Sequence, residues 1–115
     1  MSLNEKQARF TYKIAKLIVC VNEEHDMQLI GSELFRTKEQ AEWNVEHGVG
    51  ILNSLHRKKL ALDMYVFKDG KLSWDVADYA IVGDIWKTMD PDARWGGDFA
   101  HRDVYHFSFE HGGVK

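Results

Sequence analysis

Leu60-Ala61-Leu62-Asp63-Met64-Tyr65-Val66-Phe67-Lys68-Asp69-Gly70-Lys71-Leu72-Ser73-Trp74-Asp75 is the stretch on which the fold turns. Side chains alternate over residues 60–67 with the period of a strand that buries one face. Leu60, Leu62, Met64 and Val66 share the face expected to meet a core. Ala61, Asp63 and Tyr65 share the other. Asp69-Gly70 is a strong signal for a two-residue hairpin turn, which makes 71–74 the return strand. Asp75 then caps a helix over 76–89 that ends before Pro91.

Outward from this hairpin, residues 4–22 predict an amphipathic helix with Asn4 as N-cap. Ala8, Tyr12, Ala15 and Val19 follow helical spacing, and so do Phe10, Ile14, Leu17 and Ile18. Residues 27–35 predict a short strand, bulged at Gly31. Thr37 and Gln40 fit a capping box that opens a helix to about His47, stopped by Gly48. Residues 48–57 and 95–99 read as loops, and 104–109 as the last strand. In that strand Tyr105, Phe107 and Phe109 face one way, His106 and Ser108 the other. Strands mixed with separate helices around a central hairpin predict an α+β fold, a small antiparallel sheet with helices packed on one face.

The chain has 115 residues, so one domain spanning 1–115 is expected. That length suffices to fold without a second subunit, and a monomer is expected. The net charge is −3. The most basic run, Arg57-Lys58-Lys59, is short, so the electrostatic footprint of a nucleic-acid binder is missing. The single cysteine excludes a disulfide within one chain and a Cys-rich zinc cluster. Cys20, inside an apolar run, is expected to be buried. No apolar stretch approaches the ~20 residues of a membrane span. The polar start, Met1-Ser2-Leu3-Asn4-Glu5-Lys6, lacks the layout of a secretory signal, so synthesis in a cytoplasm is expected.

If the apolar faces of strands 60–67 and 104–109 meet the same helices, Asp63 and His106 meet on the opposite side of one sheet. His56 ends the loop that feeds the first of these strands. Two imidazoles and one carboxylate with an open fourth position form a catalytic zinc ligand set. A proton carrier is also needed, and Asp103 is the nearest candidate, provided it lies in a loop before the strand. On spacing alone, His56 and His106 are equally compatible with polar residues on a solvated sheet face.

Three ordered segments add to that reading. Ser54-Leu55-His56-Arg57-Lys58-Lys59-Leu60-Ala61-Leu62-Asp63 resembles the Ser-x-His-x-x-Gly-x-Ala-x-Asp motif of the zinc D-Ala-D-Ala carboxypeptidase family. That family includes VanY- and VanX-type enzymes and phage L-alanyl-D-glutamate endolysins. Trp95-Gly96-Gly97-Asp98-Phe99 and Asp103-Val104-Tyr105-His106-Phe107 resemble its closing elements. Phe35-Arg36-Thr37-Lys38-Glu39-Gln40 resembles its Tyr-Arg-Thr-x-x-Glu-Gln segment. Together they span residues 35–107.

The resemblance implies a Hedgehog/DD-peptidase-like fold, with Zn2+ held by His56, Asp63 and His106. It implies Asp103 as general base, Arg36 as a cation near the substrate or the oxyanion, and Ser54 as a substrate contact. The implied partner is the peptidoglycan stem peptide. Its short, signal-free phage members favour an endopeptidase on L-Ala-D-Glu that reaches the cell wall after release; a D-Ala-D-Ala carboxypeptidase would share the same ligands. One departure is Lys59, where the motif has Gly; a negative φ would absorb it.

Other residues carry simpler expectations. Trp43, Trp74 and Trp86 are assigned to core packing. Trp95, beside two glycines, is either a wall of the site or a substrate contact. Asp98 is expected to accept from a ligand His, and His111 to be exposed; His101, though close to Asp103 in the chain, falls outside the motif and is not assigned to the site. Two rival functions remain open at this level. One is a non-catalytic zinc-containing binding or structural module on the same scaffold, as in the Hedgehog signalling domain. The other is a zinc hydrolase acting on a non-peptide amide.

Overall fold

A computed structural model describes residues 2–31, 55 and 58–115. In chain order it holds α1 (Leu3–His25), β1 (Gln28–Gly31), β2 (Ala61–Lys68), β3 (Lys71–Leu72), α2 (Val76–Met89), β4 (Ala93–Trp95), a 3-10 turn (Gly96–Asp98) and β5 (His106–Phe109). The expected helix over 37–47 and the continuation of the first strand beyond Gly31 lie outside the described residues.

The central hairpin forms as its sequence dictates. Asp69 (φ 52) and Gly70 (φ 78) both take positive φ, as a two-residue turn matched to strand twist requires. β2 pairs antiparallel with β1, β3 and β5, and β5 pairs antiparallel with β4, giving the order β1-β2-β5-β4. β4 falls at the edge of a stretch read as loop. At three residues it is too short to show an alternation.

Leu62, Met64 and Val66 are buried, as are Phe107 and Phe109 on β5. Leu62 lies opposite Phe107 in the register, so the two strands turn the same apolar face to the helices. Phe10 of α1 meets Trp86 of α2 edge-on at 5.7 Å, and Trp86 stacks on Phe109 at 5.5 Å. Such aromatic pairs contribute about 0.5–1.5 kcal/mol beyond the area they bury. The two helices thus pack on one face of the sheet, and the α+β expectation holds.

Helix α1 is capped by Ser2, whose Oγ accepts from the Glu5 amide, rather than by Asn4. Of its two apolar stripes, Phe10, Ile14 and Leu17 face the core together with Val21. Tyr12 and Val19 are exposed. Cys20 sits beside the buried stripe instead of on it and is only half-buried. Its thiol donates to Glu24 at 3.2 Å, and that contact, with some burial, raises its pKa. Arg9 ties α1 to the end of α2 through Asp90 (3.0 Å) and Asp92 (2.6 Å).

Helix α2 begins at Asp75, which accepts from the Ala77 amide. In its first turn Asp78 accepts from Ser73 (2.5 Å) and Lys68 (2.9 Å), and those bonds pull its pKa down. A folded-state pKa below the unfolded value adds stability above the unfolded pKa and loses it as pH falls through the folded one. Asp78→Asn is therefore expected to cost about 1–2 kcal/mol at pH 7. In chemical denaturation at about pH 3 that difference should shrink.

Just before β2, the Leu60 amide donates back to the Leu55 carbonyl at 2.9 Å, and the Lys58 amide donates to the same oxygen at 3.1 Å. This closure places Lys59 at φ 56, in the left-handed region, where a negative φ was expected. A left-handed residue within such a six-residue closure is the position that favours Gly. The Gly of the similar motif thus has a conformational reason. Lys59→Gly is expected to stabilise the chain by about 1 kcal/mol, read as a higher denaturation midpoint at unchanged m-value.

Candidate metal centre

On the sheet face away from the helices, Asp63 of β2 lies directly opposite His106 of β5 in the strand register. Side chains paired this way stand about 4.5–5.5 Å apart at Cβ. Here Asp63 Oδ1 is 3.8 Å from His106 Nδ1. Asp103 reaches the same place from the segment before β5. Its Oδ1 accepts from the Tyr105 amide at 3.2 Å, a local turn that points the carboxylate back toward the strand. One donor atom each from Asp63, Asp103 and His106 lie within 4.8 Å of one another.

His106 is held from three sides. Its Nε2 lies 2.9 Å from the Lys115 carbonyl. A backbone oxygen only accepts, so Nε2 donates in this bond, and Nδ1 is the ring nitrogen that faces Asp63. Phe99 packs against the ring at 5.4 Å. Gly96 closes the third side by close approach of its backbone: a Cβ there would run into the Asp103 carbonyl oxygen and lie 2.8 Å from His106 Cβ. The Gly96 carbonyl in turn accepts from the Asp103 amide (2.9 Å) and the Phe99 amide (3.1 Å).

Trp95 supports this turn from beneath. It is 4% exposed, packed against the turn. Its indole donates to the Val104 carbonyl at 2.9 Å. Glycines at 83 and 97 admit the ring, because a Cβ at either would collide with it. Asp98 was expected to accept from a ligand histidine; among the described residues it binds Lys87 of α2 at 2.9 Å instead, fastening the turn to that helix. That bond raises the Lys87 pKa.

The Lys115 contact was not foreseen. His111 and Val114 exchange backbone hydrogen bonds (2.8 and 3.0 Å) around Gly112-Gly113, both at positive φ. This tight turn returns the chain to β5, where Ser108 Oγ also donates to Lys115 at 3.0 Å. The Gly-Gly pair was the available signal. His111, expected to be exposed, is half-buried, with Lys6 Nζ 3.4 Å from its Nδ1. His101 is exposed and does not belong to the donor group.

Asp63, Asp103 and His106 are thus brought together, while Arg36, Ser54 and His56 lie outside the described residues. The donor chemistry, one imidazole nitrogen and two carboxylates, fits a divalent cation, Zn2+ among them. Tyr65 adjoins the group: burial, then the charges of Asp63 and Asp103, push its pKa up. A second mixed group, Cys20, Glu24 and His25, lies at the end of α1.

No family model matches the chain, and no curated protein matches it in sequence. Among solved structures, the crystal structure of the Serratia marcescens L-Ala D-Glu endopeptidase ChiX is similar, with a TM-score of 0.65. The match covers 73% of this chain and 68% of that one at 23% identity. At that identity the likeness is one of fold, and this chain shares it.

Proposed function

We propose that this chain is a single-domain zinc peptidase that hydrolyses an amide bond of the peptidoglycan stem peptide, with L-Ala-D-Glu as the favoured bond. The observation that carries the reading is the convergence of Asp63, Asp103 and His106. The fold shared with an L-Ala D-Glu endopeptidase supports the substrate class.

Asp63 and His106, with His56, would hold the ion. Zinc bound there would supply Lewis acidity toward a carbonyl and a water. Asp103 accepts the proton of the attacking water and returns it to the leaving amine. Arg36 pairs with the developing oxyanion or a substrate carboxylate, where a guanidinium binds two oxygens at once. Ser54 contacts the peptide. The Lys115 backbone oxygen, bound to Nε2, orients the His106 ring so that Nδ1 faces Asp63.

Mass spectrometry of digested peptidoglycan tests this reading. New L-Ala and D-Glu termini are expected, lost on chelation and restored by zinc. New D-Ala termini would move the bond to the carboxypeptidase position. Uncleaved wall from a zinc-loaded protein would leave the binding-module reading in its place.

A further inference from the structure

Trp74 was expected in the core, yet it is 65% exposed. β3 ends at Leu72, so Trp74 lies past the last paired residue and is not tucked under the sheet. Its ring stands edge-on to Tyr65 (6.4 Å) and Tyr105 (6.2 Å), and those two tyrosines lie 5.1 Å apart. Tyr105 rests edge-on at 5.0 Å against Tyr79, which is buried. The Tyr79 hydroxyl donates to the Ser73 carbonyl (2.9 Å) and accepts from the Val66 amide (3.0 Å). The aromatic group is therefore anchored in the core, and little ordering is left for a ligand to supply.

We propose that Trp74, Tyr65 and Tyr105 form a saccharide-binding ledge beside the Asp63–Asp103–His106 group, taking the apolar face of a pyranose ring of the glycan strand. The identity of the sugar rests on the peptidase reading above; the ledge itself does not.

Position, shape and charge all favour this occupant. Tyr65 is two residues beyond Asp63 on the same strand face, about 7 Å along it, and Tyr105 directly precedes His106. The ledge thus begins where the donor group ends. In peptidoglycan the L-alanine of the stem is attached to a sugar, so a bond cut next to that alanine brings a pyranose ring within about one residue's length of the reacting carbonyl. Trp74, unlike Tyr65 and Tyr105, also lines a cleft of about 210 Å³ whose walls include Lys68, Lys71, Asp69 and Asp75. A pyranose has C–H bonds on its faces, which suit an aromatic π surface, and hydroxyls on its edge. Those hydroxyls both donate and accept, matching walls of mixed charge. An apolar peptide side chain would use the rings and leave those walls unmatched.

The test uses the intact chain with chelator present, so it depends on neither zinc nor hydrolysis. The probe is a peptide-free tetrasaccharide of alternating N-acetylglucosamine and N-acetylmuramic acid. A saturable shift of the Trp74 indole resonance is expected. Trp74→Ala should weaken binding about tenfold and Trp74→Phe should recover part of it. Thermal melting of each variant checks that the fold persists. On cleavable substrates, Trp74→Ala should raise KM for a sugar-bearing stem peptide about tenfold more than for the same peptide without sugar. Absence of a tetrasaccharide-dependent shift, or equal KM losses on both substrates, overturns the ledge. A shift in a protein that cuts no stem peptide upholds the ledge and removes the peptidase reading instead.

Discussion

If the chain is the peptidase proposed above, Asp103→Ala is expected to lower stem-peptide hydrolysis by about 10²–10⁴-fold, the range for losing a positioned general base. Zinc content and the melting temperature are expected to stay close to those of the parent. Asp103 is exposed and approaches from a loop, whereas Asp63 and His106 are fixed by strand pairing. That difference motivates the division of roles: the paired residues hold the ion, and the loop carboxylate moves a proton. Elemental analysis alongside kinetics decides the matter. A variant that loses its metal together with its activity would make Asp103 a ligand. A variant that keeps full activity would remove it from the reaction.

Gly96→Ala is the second large effect. The added methyl meets the Asp103 backbone carbonyl and the first side-chain carbon of His106, neither of which can swing away. Overpacking of this kind costs about 1–3 kcal/mol. Because the displaced atoms belong to the donor group, activity should fall about 10²-fold as well, the cost of a 1 Å misplacement. Gly31→Ala is the control, since its nearest neighbours are Leu62 methyl groups at 3.9 and 4.0 Å. A Gly96→Ala protein with the parent's melting temperature and kcat/KM would show that the turn yields, and that the tight fit does not position the site.

The hairpin and helix α2 were legible because their signals are local: alternation, Asp-Gly and a capping Asp all fall within a few residues. The meeting of Asp63 and His106 was legible for a related reason. Once each strand's apolar face is known, so is the face that carries the polar residue. Register was not legible, since parity says which face a residue takes but not its partner along the strand. Trp74 was misplaced because the return strand stops two residues sooner than its sequence suggests, and parity has no meaning past the last pair. Cys20 was misplaced because an apolar run was read as buried when only one stripe of a helix is. The φ of Lys59 and the Lys115 contact depend on backbone closures, and side-chain patterns do not report them.

The pairing of β2 with β5 has a kinetic consequence. Those strands are separated in the chain by β3, α2 and β4, so their union is a distant loop closure, whereas the hairpin and both helices form from neighbours. Hydrolytic competence should therefore be among the last properties a refolding chain acquires, trailing its helical circular dichroism. On the proposed reading, a nascent chain with its helices already wound would still lack an assembled site.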